Sequence, residues 1–117
     1  MPGVQQQRVG MKKENESEAF LRASLNAETA RIAWTELKTF FARGKVLHVD
    51  DSMDLIDVAV RVAQDDKTAI AHWIENGKIG QVSDETAKKW FECNSSLWTV
   101  VVAPWVLVQE KEQAHLE

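Results

Sequence analysis

The stretch that decides the fold is Leu97-Trp98-Thr99-Val100-Val101-Val102-Ala103-Pro104-Trp105-Val106-Leu107-Val108. Its twelve residues are too few for a helix that crosses a bilayer, which takes about 20 apolar residues. Its valine content favours a strand, and apolar side chains at both odd and even positions indicate that helices or a partner chain cover both faces. Because Pro104 cannot donate to a strand ladder, we expect it to divide the run into two strands.

Upstream of this valine-rich run, the spacing of apolar residues predicts four helices and two short strands. Residues 25–41 have helical spacing, and Gly44 follows where such a helix ends. A short strand over residues 45–50 precedes a helix over residues 55–64 whose polar stripe is so narrow that it should be nearly surrounded by protein. A shorter helix follows between the Asp65-Asp66 cap and Gly77, then a brief strand over residues 78–82 and a last helix that begins at Ser83.

The resulting order is helix-strand-helix-helix-strand-helix-strand, which is an α+β arrangement. It matches a winged helix-turn-helix with an extra helix between the wing strands, and it predicts a small three-stranded antiparallel sheet. We expect one domain over residues 18–110. Residues 1–17 and 111–117 have no apolar period to offset the entropy cost of ordering, so we expect disordered tails there.

Composition excludes several classes of function. The formal charge of -4 argues against a general nucleic-acid or anionic-membrane footprint, which needs clustered Lys and Arg. Five Trp occur with no Tyr, so the aromatic residues supply apolar area without a phenolic acid or base. Cys93 is the single cysteine and cannot form an internal disulfide, which favours a reducing, cytoplasmic setting.

Residues 57–79 resemble helix-turn-helix cores, with the second helix as the candidate contact face. That face would present Lys67, Thr68, Ala71, His72 and Glu75. These are poor groove-reading residues, and the charged residues between 54 and 76 sum to -3, from five acids and two bases. We therefore expect nucleic acid not to be a partner, and a winged-helix DNA-binding regulator stays as an alternative.

The sequence contains few groups that suggest catalysis or metal binding. Two sets of acidic residues and histidines have no recognised ligand spacing, and turn and N-cap roles account for the aspartates. These sets are His48, Asp50, Asp51 and Asp54, and Asp65, Asp66 and His72. Cys93 has no neighbouring histidine in the sequence to activate it. We therefore predict no catalytic residue, no metal and no cofactor.

Four segments together carry a resemblance to a known family. They are Leu25-Asn26-Ala27-Glu28-Thr29-Ala30-Arg31-Ile32-Ala33-Trp34, Phe40-Phe41-Ala42-Arg43-Gly44, Asp65-Asp66, and the run from Trp98 to Gln109. The sequence resembles the bacterial family called domain of unknown function 2288 over residues 24–110, most specifically in its Ala-Pro-Trp-Val-Leu-Val-Gln ending. The resemblance implies a single cytoplasmic domain, and it implies no activity, cofactor or catalytic residue.

The leading functional hypothesis is a protein-interaction module that is not an enzyme. A domain of this size buries only about 60–65% of its unfolded surface, so its helices should fall short of covering both faces of the valine-rich strand. We therefore expect a homodimer, with Trp98, Pro104 and Trp105 as interface anchors. A second alternative is a small-molecule binder with a Trp-lined cavity.

Overall fold

The computed structural model describes residues 17–110 of the chain. Its helices are α1 (17–28), α2 (Trp34–Ala42), α3 (Leu55–Ala63), α4 (Lys67–Glu75) and α5 (Asp84–Glu92). Its strands are β1 (Ala30–Ala33), β2 (Val46–Val49), β3 (Ile79–Gln81), β4 (Ser96–Val102) and β5 (Trp105–Gln109). The predicted tails lie outside the described residues, except for Ser17, which is helical.

The valine-rich run forms the two central strands of a five-stranded sheet. β4 and β5 are antiparallel and joined by a turn at Ala103 and Pro104, as the proline predicted, and the peptide bond between these two residues is cis. The strand order is β1-β4-β5-β2-β3. β2 runs parallel to β5, whereas the other three neighbouring pairs are antiparallel.

Helices of the same chain cover both faces of this sheet. One face packs against α1, α3 and α4 through a core that includes Leu25, Val58 and Leu107. The other face packs against α2 and α5 through a core that includes Trp34 and Trp90. Three layers form, and the expected covering of both strand faces is confirmed. The sequence analysis expected the helices of so small a domain to leave one face of the valine-rich strand for a partner chain. Because helices of the same chain cover both faces, that reason for a homodimer no longer holds.

The predicted helix over residues 25–41 was wrong, because the chain forms β1 in its middle. α1 ends at residue 28, where the Thr29 hydroxyl donates to the Leu25 carbonyl over 2.7 Å. β1 then pairs with the start of β4, and the Trp34 N–H at the start of α2 donates to the Ser95 carbonyl over 2.9 Å. These long-range bonds to β4 outweigh the helical spacing of the local sequence.

The predicted three-stranded antiparallel sheet was also wrong. It becomes a five-stranded mixed sheet because the missed strand β1 extends one side, the valine-rich run contributes two strands, and β2 pairs in parallel with β5. α3, α4 and β3 do follow one another as a helix-turn-helix core would. The strands around them, however, belong to one continuous sheet between two helical layers, so the predicted order lacked one strand and one helix before β2 and one strand at the end.

The starts of three helices follow the predicted cap chemistry. Asp54, Asp66 and Ser83 accept backbone N–H groups at the N-termini of α3, α4 and α5, respectively. Such caps satisfy N–H groups that have no partner within the helix. None of the helices within residues 17–110 has the length and apolar character needed to cross a bilayer.

Candidate functional site

A polar cluster lies where the parallel strands β2 and β5 end. The Trp90 indole N–H donates to a Glu110 carboxylate oxygen over 2.7 Å, and the other oxygen lies 4.0 Å from His48 Nε2. The His48 and Trp90 rings meet edge to face, with centroids 5.0 Å apart. Trp90 is fully buried, whereas His48 and Glu110 are partly exposed. The carboxyl ends of parallel strands are a common place for ligand sites.

A second set of polar contacts closes the loop after β2. The buried Gln109 amide donates to the carbonyls of Asp50 and Met53, over 2.9 and 2.8 Å. The Asp50 carboxylate accepts from the Ser52 hydroxyl and backbone N–H, and these hydrogen bonds hold the pKa of Asp50 below its ordinary value. Lys78 in turn donates to the Ser52 hydroxyl over 3.1 Å. The loop is therefore tied to β5 on one side and to the start of β3 on the other.

These contacts give the polar residues structural partners. Asp54 and Asp66 cap helices, and His72 lies within hydrogen-bond distance of the Asn76 amide, at 3.1 Å. Within residues 17–110, no group of three or more His, Cys, Asp or Glu side chains is placed to hold a metal ion. Cys93 is exposed at the end of α5. The polar groups at the strand ends and in the loop after β2 include one imidazole, that of His48, with the Glu110 carboxylate 4.0 Å away.

The residues predicted as the contact face of α4 all lie on its surface. They are Lys67, Thr68, Ala71, His72 and Glu75. α4 packs on α3 and β3, and none of its residues is fully buried. Asp65 lies in the tight turn between α3 and α4 with a positive φ of 57°. Two carboxylates, Asp65 and Asp66, therefore stand at the helix end where a phosphate would have to approach.

The structure does not bring the three predicted interface anchors together. Trp98 and Trp105 are half-buried on the face that packs against α1, α3 and α4, and Pro104 is exposed at the turn. Trp105 pairs with Val102, four residues along β4 from Trp98, which is about 13 Å at the usual rise of a strand. The Arg31 guanidinium covers the Trp98 ring at 5.5 Å. Pro104 and Trp105 therefore belong to one end of the sheet and Trp98 to the other.

A surface that the sequence did not reveal lies beside Pro104. β1 pairs with β4 only from Ser96 to Thr99, whereas β5 pairs with β4 as far as Val102. In the part of the chain that the structure describes, no strand pairs with Val100–Val102 on the β1 side, and we call these residues the open edge. Val101 is 53% exposed. By strand alternation it faces the α2 and α5 side, with Val106 as its cross-strand neighbour.

Phe40 is a second exposed apolar residue, on the helix α2 that packs on the side of the sheet that Val101 faces. The Lys38 ammonium lies 4.8 Å from the centroid of the Phe91 ring on α5, so the flank of α2 that carries Lys38 faces α5. Phe40 is two residues further, about 200° around the helix, and is 39% exposed on the opposite flank. Its carbonyl accepts from the Lys45 N–H, and the Lys45 carbonyl accepts from the Val106 N–H. The end of α2 is thus tied to the strand that pairs with Val101.

A cleft of about 480 Å³ lies between the start of α1 and the end of α3. Its lining residues are Ser17, Glu18, Leu21 and Gln64, so no tryptophan contributes to it. Trp34 and Trp90 instead pack against each other in the core, with ring centroids 5.1 Å apart. This cleft does not match the expected Trp-lined cavity.

Comparisons with known proteins identify relatives of this fold. The family model described as "Protein of unknown function (DUF2288)" matches residues 20–110. The NMR solution structure of PA1075 from Pseudomonas aeruginosa is similar, with a TM-score of 0.70 and 46% sequence identity over 80% of this chain and 86% of that chain. A search of curated proteins gave no match.

Proposed function

The chain belongs to the DUF2288 family of proteins of unknown function, and we propose that its domain is a protein-interaction module that is not an enzyme. Its contact surface is the open edge together with Phe40. The observation that carries this proposal is Val101, which is 53% exposed on a strand segment that, within residues 17–110, pairs with no strand on one side. Unpaired strand edges bind extended segments of other chains, because their free N–H and C=O groups are templates for pairing.

The polar cluster supports a structural role for the residues that resemble catalytic groups. Glu110 is bound by the buried Trp90 indole, and Gln109 holds the loop after β2. The first contact holds the end of β5 to α5, and the second holds it to the loop after β2. The exposed Cys93 supports a reducing compartment, and we propose that the module works in the bacterial cytoplasm.

Site-specific photo-crosslinking in the native host tests this proposal. A photoreactive amino acid replaces Val101 in one variant and Lys88, an exposed residue of α5, in the control. We expect a defined crosslinked protein from position 101 and none from position 88. A purified form of the captured protein must then bind the wild-type domain and bind the Val101→Lys variant at least about tenfold more weakly, a loss of about 1.4 kcal/mol.

Two outcomes contradict the proposal. One is the same set of crosslinked proteins at both positions, which indicates random collisions. The other is full binding of the captured protein to the Val101→Lys variant, which moves the contact away from the open edge.

Winged-helix DNA binding is the competing function, favoured by the succession of α3, α4 and β3. A gel mobility-shift assay with random duplexes at low salt separates the two. The interaction module predicts no shift, because the exposed face of α4 lies beside Asp65 and Asp66. A shift that weakens steeply with salt and disappears in a Lys67→Glu variant supports DNA binding instead.

A further inference from the structure

Resting on the proposed function, we propose that the partner at the open edge is a second copy of this chain. The two copies pair antiparallel through β4, about a two-fold axis at Val101. The two five-stranded sheets then join into one sheet of ten strands. The proposal follows from the length of the open edge, from its symmetric sequence and from the distribution of charge around it.

The length of the open edge suits a second copy of the same strand. β1 pairs with β4 up to Thr99, which sets one end of the open edge. The turn at Ala103, where β4 ends, sets the other end. A partner strand therefore has room for three residues opposite Val100–Val102. Because the partner's β4 ends at the same turn, it stops where β1 begins. A longer extended segment would collide with β1 or run past the turn.

The sequence of the open edge is symmetric about its centre. Antiparallel pairing on a two-fold axis places Val101 opposite the partner's Val101, and Val100 opposite the partner's Val102. Directly opposed residues of antiparallel strands have Cβ atoms about 4.5–5.5 Å apart, so the two central valines touch. β-branched pairs of this kind stabilise sheets. Phe40 of each protomer lies on the same face and extends the apolar contact.

The charge distribution permits this symmetric contact. An isologous interface brings each residue near its own counterpart, so a charged residue at its centre would repel itself. The run from Leu97 to Val108 contains no charged residue, although the chain as a whole carries a formal charge of -4. The open edge lacks the lysine that many exposed strand edges use to prevent pairing.

A charge-exchange experiment tests the pairing at Val101. Sedimentation velocity of the wild-type chain at 5–200 µM is expected to show a monomer–dimer equilibrium. Val101→Lys and Val101→Glu each place like charges opposite one another on the axis, and each is expected to raise the dimer dissociation constant by about tenfold or more. An equimolar mixture of the two variants is expected to restore dimers, because lysine then opposes glutamate.

The mixture also controls for folding, since a variant that fails to fold cannot be rescued by another. Lys88→Glu, on the surface of α5, is the matched control and is expected to dimerise as the wild type does. A wild-type monomer at 200 µM overturns the inference. A dimer that both Val101 variants leave unchanged, or single variants that dissociate without rescue, overturns it as well.

The proposed function fails separately from this inference. If photo-crosslinking at position 101 captures a different protein while the chain sediments as a monomer, the interaction module stands and the second copy is wrong. If the charge-exchange mixture restores dimers, both are supported.

Discussion

At the scale of single residues, Gln109 joins distant parts of the chain. Its buried amide donates two hydrogen bonds, to the carbonyls of Asp50 and Met53. In the sequence, Gln109 stood out only as the last residue of the Ala-Pro-Trp-Val-Leu-Val-Gln ending that carries the family resemblance. Its partners lie more than 50 positions away, and no local pattern encodes which carbonyls a side chain will reach.

Replacing Gln109 tests the importance of these bonds. Gln109→Leu removes one hydrogen bond from each of two carbonyls in a partly buried loop, and the Asp50 carbonyl keeps only the bond from the Met53 N–H. This loss is expected to lower the free energy of unfolding by about 1–3 kcal/mol. Gln81→Leu is the control, because Gln81 is exposed and donates a single bond to the Gly44 carbonyl. Urea denaturation should separate the two variants. Equal loss in both would show that the Gln109 bonds add nothing beyond an exposed contact.

Asp50 links stability to acid pH. The hydrogen bonds from Ser52 lower the pKa of Asp50 in the folded state below its ordinary value of 3.8. The stability that its charged form contributes is therefore present above that ordinary value and is lost as pH falls through the lower folded pKa. Thermal melts of the wild type and Asp50→Asn between pH 6 and 2.5 should show a difference in Tm that shrinks below about pH 4. A difference that stays constant over this range would contradict the role of Asp50.

At the scale of helices and strands, the sequence predicted an element where one local pattern dominated. It failed where a strand lay inside a stretch with helical spacing. The division of the valine-rich run at Pro104 was predicted, because proline removes a ladder donor. The helix α3 was predicted as well, but only four of its nine residues are buried, so it is less enclosed than its narrow polar stripe indicated. β1 was missed because its residues fit the helical spacing on either side. Only pairing with β4 decides that Ala30–Ala33 is a strand, and a local period does not contain that information.

The N-cap of α3 provides a test at this scale. The Asp54 carboxylate accepts from the backbone N–H groups of Ile56 and Asp57. Asp54→Ala removes both bonds and is expected to lower the free energy of unfolding by about 1 kcal/mol, whereas Asp54→Ser keeps a capping oxygen and should recover most of it. Urea denaturation measures both. Equal stability of the alanine and serine variants would show that the cap does not hold the start of α3.

At the scale of the whole molecule, the two helical layers explain both the stability and the exposed surface. α2 and α5 cover the central strands, but they leave Val101 exposed beyond the start of β1 and Phe40 exposed on α2. The sequence predicted contact residues near Pro104, yet it could not reveal the open edge. That edge exists only because β1 is shorter than β4, which depends on the register of residues far apart in the chain.

The most direct test of the central claim is an isotope-filtered NOE measurement by NMR. An equimolar mixture of carbon-13-labelled and unlabelled chains at several hundred micromolar reports only contacts between protomers. The account predicts interchain NOEs from the Val101 methyl groups to the same groups of the partner and to the Phe40 ring. Interchain NOEs confined to other surfaces, or none at a concentration where the chain is dimeric, would contradict it.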